Sequence, residues 1–323
     1  MDCGARGRRT DHGSSDARVL RYRIITGPIL IALFLAIVWL DDRLEMVVLE
    51  GELRELFLGH DRLPRGLALF IASMVAVPIA AWELSRIVTA SGIPTRRWLM
   101  ITAASIGLVL TYVLPGLASE ATTIAIMGTG MILVFVASLL VMSRSRTTKG
   151  AVAAAGAVVF GFVYLGLTVG FYLLIRRDHS AWWIVGVMLT TKSCDIGAYF
   201  TGRAIGRHKM IPWLSPGKTW EGLTGGVVVA TLVGVGLAWL SHATLPARDQ
   251  APLWLGAVSG VLFAIVGQAG DLTMSLFKRG AGMKDSSQIL PGMGGVLDVL
   301  DSALLVAPVA YWLFLIAGLS AAG

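Results

Sequence analysis

Long apolar runs alternate with short polar stretches over almost the whole chain. Nine windows, at about residues 24–40, 66–82, 98–116, 121–142, 151–175, 181–201, 222–242, 253–270 and 302–319, are dominated by apolar residues. Crossing a bilayer takes roughly 20 such residues. The pattern predicts an all-α, polytopic integral membrane protein with about nine transmembrane helices. Only residues 117–120 separate the third and fourth windows, so a tight hairpin is expected there. The sixth window is the weakest, because Lys192 and Asp195 lie inside it. In the fifth, Gly166 and Gly170 form a small-xxx-small pair, a pattern that lets helices pack closely.

The polar stretches set the orientation, because basic residues concentrate in cytosolic loops. Residues 1–23 hold Arg6, Arg8, Arg9, Arg18, Arg21 and Arg23. No clear small-residue cleavage site follows, so this segment is read as a disordered basic tail before an uncleaved first span. Residues 83–97, 143–150, 202–221 and 271–301 are base-rich, whereas 117–120 has no base and 241–252 only Arg248. This alternation places the N-terminus in the cytosol and the C-terminus outside. Arg176 and Arg177 break it, since their loop falls on the outer side. Residues 24–201 are expected to form the N-terminal helices, and residues 202–323 a C-terminal catalytic region with a cytosol-facing site.

Composition agrees with lipid as the main solvent. Hydrophobic residues make up 55% and charged residues 15%, against about 25% charged in soluble domains. The net charge of +7 suits cytosolic loops and anionic headgroups. The bases form no stripe interleaved with aromatics, so nucleic acid is not expected as a partner. Cys3 and Cys194 make no disulfide framework and no zinc pattern with histidine.

Two charged segments carry the candidate chemistry. In residues 270–302, Asp271, Ser275 and Lys278 fall at i, i+4 and i+7, one face if the eighth span continues as a helix. Arg279 lies beside them. Asp298 and Asp301, at i and i+3, share a face where the ninth span begins. Residues 291–295, rich in Gly and Pro, permit a sharp bend between the two groups. The chain can thus bring three carboxylates near three bases. Phosphoryl or nucleotidyl transfer uses such a set, with hard oxygens for a divalent metal and cations over the phosphates. A single charge of this kind reads equally well as a helix-end anchor. The whole set does not, since ionisable groups near bilayer depth are functional candidates.

In residues 192–222, Asp195, Tyr199 and Arg203 are spaced by four, on one helical face, and Arg207, Lys209 and Lys218 add positive charge. Gly217, Lys218 and Thr219 suggest a Walker A loop, but that motif needs Gly where Pro212 stands and a strand before it. A P-loop is therefore excluded. Trp213 and Trp220 suit an interfacial aromatic belt. His208 suits the headgroup level better than acid–base catalysis, and Glu83 suits a structural partner better than a ligand.

These segments resemble the phosphatidate cytidylyltransferase (CDP-diacylglycerol synthase) family. Its C-terminal signature reads S-x-x-K-R-x4-K-D-x-[GSA]-x2-[LIF]-P-x-H-G-G-x-x-D-R-x-D. Here Ser275, Lys278, Arg279, Lys284, Asp285, Ser287, Leu290, Pro291, Gly294, Gly295, Asp298 and Asp301 stand in the same register. A second family segment is similar to AYFTGRAIGRHK and SPGKTWEGLTGG within residues 195–226, and RIITG and WELSR add weaker similarity. The signature His is Met293 here, its Arg is Val299, and the first Lys of SPKKT is Gly217.

The resemblance implies the reaction of CTP with phosphatidate to give CDP-diacylglycerol and pyrophosphate, dependent on Mg²⁺. It implies Asp271, Asp298 and Asp301 as metal ligands, catalytic together with Lys278. Lys278, Arg279, Lys284, Arg203 and Lys218 would contact phosphates, and Ser275, Asp195 and Asp285 would be further substrate contacts. It implies a bacterial inner membrane location among membrane lipids, with the site facing the cytoplasm, and is compatible with a homodimer. Three other readings stay open. A CTP-dependent lipid kinase, such as a polyprenol or phytol kinase, would release CDP. A transporter is disfavoured by charges at span ends and by the lack of a visible repeat. An inactive homologue is suggested by Met293 and Val299.

Overall fold

No water reaches backbone groups in a bilayer core, so a crossing segment closes its own hydrogen bonds as a helix. The computed structural model, which describes residues 11–56, 61–144, 146 and 148–319, follows that rule. In chain order it contains α1 (Asp11–Leu44), a short α2 (Glu52–Leu56), α3 (Leu67–Ala90), α4 (Arg97–Leu117) and α5 (Glu120–Ser143). One continuous rod follows, made of α6 (Ala151–Gly161), a π-helical turn (Phe162–Leu167) and α7 (Thr168–Asp178). Then come α8 (Trp182–Ile205), strands β1 (Lys209–Ile211) and β2 (Ser215–Thr219), α9 (Trp220–Thr244), α10 (Leu253–Gly280) and α11 (Val296–Ile316).

Among the described residues, eight helices are long and apolar enough to cross a membrane. The eight include every predicted window except the sixth. That window is α8, 24 residues long, in which Lys192 and Asp195 dilute the apolar run. Residues 1–10 of the predicted tail, with Cys3, lie outside the described residues. Residues 11–23 of that segment belong to α1.

The tight hairpin between α4 and α5 is formed, and Ser119 Oγ caps α5 by accepting from Thr122 N at 3.3 Å. Gly166 and Gly170 let the π turn and α7 press against α4, where side chains at these positions would strike Ala104 and Thr111. The core lies between α3, α4, the α6–α7 rod, α8, α10 and α11, with Leu84, Leu108, Leu165, Phe263, Met274 and Leu297 fully buried. One expectation is corrected. A strand does precede α9, since β1 and β2 pair antiparallel with Lys209 opposite Thr219. Gly217, Lys218 and Thr219 lie within β2 itself rather than in a loop after a strand, so the exclusion of a P-loop rests on that placement.

Of the two residues that break the charge alternation, Arg177 is exposed at the end of α7, and Arg176 has a structural role. Arg176 is fully buried and paired. Its Nε donates to Asp41 Oδ2 at 2.5 Å and its Nη2 to Glu45 Oε2 at 2.9 Å. Glu45 also meets Arg65 at 2.7 Å, and Asp41 Oδ1 accepts from Ala68 N at the start of α3 at 2.9 Å. Arg176 is thus an internal cross-link between α1, α3 and α7, not a topogenic loop charge. Burial alone raises the Glu45 carboxyl, but its bonds and charge contacts with Arg176 and Arg65 outweigh this and hold it below its ordinary value.

Candidate active site

A helix N-terminus leaves four backbone N–H groups without intrahelical partners and favours carboxylates. At α11 two acids meet that need. Glu83, on α3, is fully buried. Its Oε1 accepts from Ser287 Oγ at 2.6 Å and Val296 N at 3.1 Å, and its Oε2 from Leu297 N at 2.8 Å and Ser286 Oγ at 3.0 Å. Asp298 reaches back from the first turn. Its Oδ2 accepts from Gly295 N at 2.9 Å and Ser286 N at 2.8 Å, and Ser286 Oγ lies 2.9 Å away. Its Oδ1 accepts from Lys278 Nζ at 2.7 Å. A Cβ at Gly295 would collide with Glu83 and Ser286, so only glycine lets the chain pass this clamp. Residues 281–295 are thereby tied to both α3 and α10.

One turn deeper in α11, Asp301 faces a different group. The α10 and α11 backbones touch at Gly270, where a Cβ would meet the Asp301 carbonyl. Asp271 and Asp301 therefore project from adjoining helices. Lys192 of α8 donates to Ser302 Oγ at 2.7 Å, with Asp301 Oδ1 at 3.6 Å and Asp195 Oδ2 at 3.9 Å. The charges of Asp271 and Asp195 both act on Asp301. Thr219 caps α9 by accepting from Gly222 N at 3.1 Å, which fixes Lys218 immediately before the helix. Lys218 Nζ stands 2.5 Å from Asp271 Oδ2. That contact lacks hydrogen-bond direction, and the buried ammonium has no aligned acceptor.

The arrangement is two lysines threaded through three carboxylates from α8, α10 and α11. Side-chain exposure rises from 12% at Asp301 through 28% at Asp271 to 43% at Asp195. The group thus has a buried floor and an open mouth. Such a site can hold phosphates through its ammonium groups and a cation through its carboxylates.

The metal set expected from the sequence divides. Asp271 and Asp301 come together with Asp195, but Asp298 is occupied by Lys278 and by the α11 terminus. Among the described residues, no three His, Cys, Asp or Glu side chains stand close enough to hold a metal ion. Lys278 likewise anchors Asp298 instead of facing Asp271. Ser275 is half-buried on α10, and Arg279 is exposed. Arg203 is exposed and donates to Tyr199 Oη at 3.0 Å. Lys284 and Asp285 are exposed and line a separate cavity of about 430 Å³ with Arg86 and Gln288. His208 sits 2.5 Å from Glu221 through Nδ1 and takes no place among the carboxylates. Spacing and motif assign no role to Lys192, Ser286 or Ser302. A lysine inside a predicted span was a usable signal for Lys192, while the two serines carry none.

Residues 56–317 match the cytidylyltransferase family. Among curated relatives, a phosphatidate cytidylyltransferase of Haemophilus influenzae is 40% identical over 131 residues, 40% of this chain and 44% of the relative. One of Mycobacterium bovis is 34% identical over 196 residues, 58% of this chain and 61% of the relative. The chain thus spans less than two thirds of the length of these two relatives. One of Pseudomonas aeruginosa is 32% identical over 248 residues, 75% of this chain and 85% of the relative. The family match encloses Glu83, the aspartate contacts of Lys192 and Lys218 and the α11 clamp, and on that extent the chain belongs to the cytidylyltransferase family.

Proposed function

We propose that the protein transfers the cytidylyl group of CTP to phosphatidate, giving CDP-diacylglycerol and pyrophosphate. The observation that carries this reading is the group formed by Lys192, Lys218, Asp195, Asp271 and Asp301, in a chain whose relatives bear the name phosphatidate cytidylyltransferase. The α-phosphorus of CTP is attacked by a phosphate oxygen of the lipid. The bond from that phosphorus to the bridging oxygen breaks, and pyrophosphate leaves with the electron pair. An ionised phosphate is already a nucleophile, so no strong general base is needed.

Lys218, paired with Asp271 Oδ2 at 2.5 Å, is placed to take a phosphate oxygen beside that carboxylate. Lys192, tethered by Ser302, places a second positive charge between Asp195 and Asp301. Asp271 and Asp301 are hard oxygen donors on adjoining helices. Mg²⁺ usually takes one or two carboxylates and completes its shell with substrate phosphates and water, so this pair fits that ion without an all-protein cage. When bound there, the ion supplies charge neutralisation on the triphosphate. Asp298 and Lys278 act instead as the anchor of residues 281–295. The site is proposed to open to the cytoplasm of a bacterial inner membrane, where CTP is available.

The test uses purified protein with phosphatidate, Mg²⁺ and CTP labelled at either the α- or the γ-phosphate. Label from the α-position should enter the lipid and label from the γ-position should leave as pyrophosphate. Transfer of the γ-label to lipid with release of CDP would make the protein a lipid kinase instead.

A further inference from the structure

Among the described residues, the buried side-chain atoms without a hydrogen-bond partner include Tyr164 Oη, Lys218 Nζ and Gln268 Nε2. Lys218 lies in the carboxylate group, and Gln268 is three residues before Asp271 on α10. Tyr164 lies on the π-helical turn. It is 4% exposed. Its ring stacks on Phe160 at 4.8 Å and meets Phe277 edge-on at 6.2 Å. Its hydroxyl is near enough for the charge of Asp301 to act on it, yet it bonds neither Asp301 nor any other group.

The fold does satisfy the neighbouring phenol. Tyr172, two turns further along the same rod, donates to the Ala303 carbonyl at 2.9 Å. Packing alone would be served at position 164 by phenylalanine, which fills the same space without a stranded hydroxyl. An unpaired buried donor is unfavourable, and a π turn is a recurrent device for aiming a side chain at functional sites.

We infer that the Tyr164 hydroxyl is a substrate contact, donating a hydrogen bond to a phosphate oxygen bound beside Asp301. The oxygen belongs either to CTP or to phosphatidate. The inference deepens the proposed reaction and rests on it for the identity of the two ligands.

Tyr164→Phe in the full chain tests this, with Tyr172→Phe as the comparison. The melting temperature is measured without ligand, with CTP and Mg²⁺, and with phosphatidate alone, beside kcat and KM for each substrate. Tyr164→Phe should melt no lower than wild type without ligand. It should lose part of the thermal shift given by one ligand, and kcat/KM should fall on the order of tenfold. The ligand whose shift shrinks is the one that brings the oxygen. Tyr172→Phe should lower the ligand-free melting temperature and leave both shifts in place.

Unchanged shifts and kinetics in Tyr164→Phe would overturn the inference, as would a lower ligand-free melting temperature, which marks a structural bond. If wild type shows shifts but makes no CDP-diacylglycerol, the proposed reaction fails while a shift lost in Tyr164→Phe still supports the contact. If wild type shows neither shift nor turnover, both fall.

Discussion

Replacing Glu83 by glutamine keeps the shape of the side chain and reverses half of its bonding. The native carboxylate accepts from Ser286 Oγ, Ser287 Oγ, Val296 N and Leu297 N. An amide retains one oxygen for two of these donors and turns N–H groups toward the other two. Each buried donor left unpaired costs about 1–3 kcal/mol, so two come to about 2–6 kcal/mol. Total stabilities of about 5–15 kcal/mol make that a large fraction. At roughly 2 °C per kcal/mol for a chain of this size, the expected drop in Tm is about 4–12 °C. The loosened region is specific: residues 284–297 should exchange their amide hydrogens faster, while α4 and α5 stay protected. Activity should fall with it, because the same clamp positions the start of α11. A glutamine variant with wild-type melting and wild-type exchange over residues 284–297 would refute this account of Glu83.

Further predictions separate the acids and bases by role. Asp298→Asn should lower both Tm and activity, since it removes the Lys278 partner at 2.7 Å; Asp301→Asn should abolish Mg²⁺-dependent turnover with little change in Tm, read by parallel melting and product assays. Lys218→Ala should cut kcat/KM for CTP by about a hundredfold, the order expected for a charge-assisted contact to phosphate, and Lys218→Arg should restore part of it. Glu45 is held below its ordinary value by Arg176 and Arg65, so its contribution to stability is present above that ordinary value and lost as pH falls through the lowered one. Acid melting curves should therefore drop below the ordinary carboxylate range, and Glu45→Gln should flatten that limb.

The long helices were legible because lipid demands long apolar runs, and α8 was the weak window because Lys192 and Asp195 interrupt its apolar run. Spacing read Asp298 and Asp301 as one face and one function. The helix begins at Val296, not near residue 302, so Asp298 falls in the first turn and is drawn into capping while Asp301 looks inward. A Gly-x-x-Asp before an apolar run was a readable sign of that start. Arg176 and Asp41 stand 135 residues apart, and nothing local announces their pairing. The π turn is equally silent, since residues 162–167 are apolar like their flanks. Met293 and Val299 take no part in the clamp's hydrogen bonds, and Gly217 lies in open space on β2, where nothing in the structure requires a lysine.

The most direct measurement is the mass of the lipid formed when the purified protein meets phosphatidate, CTP and Mg²⁺. The expected result is phosphatidate heavier by one cytidylyl group, with pyrophosphate released in equal amount. Phosphatidate recovered unchanged, from folded protein that retains its ligand-free melting transition, would contradict the proposed function.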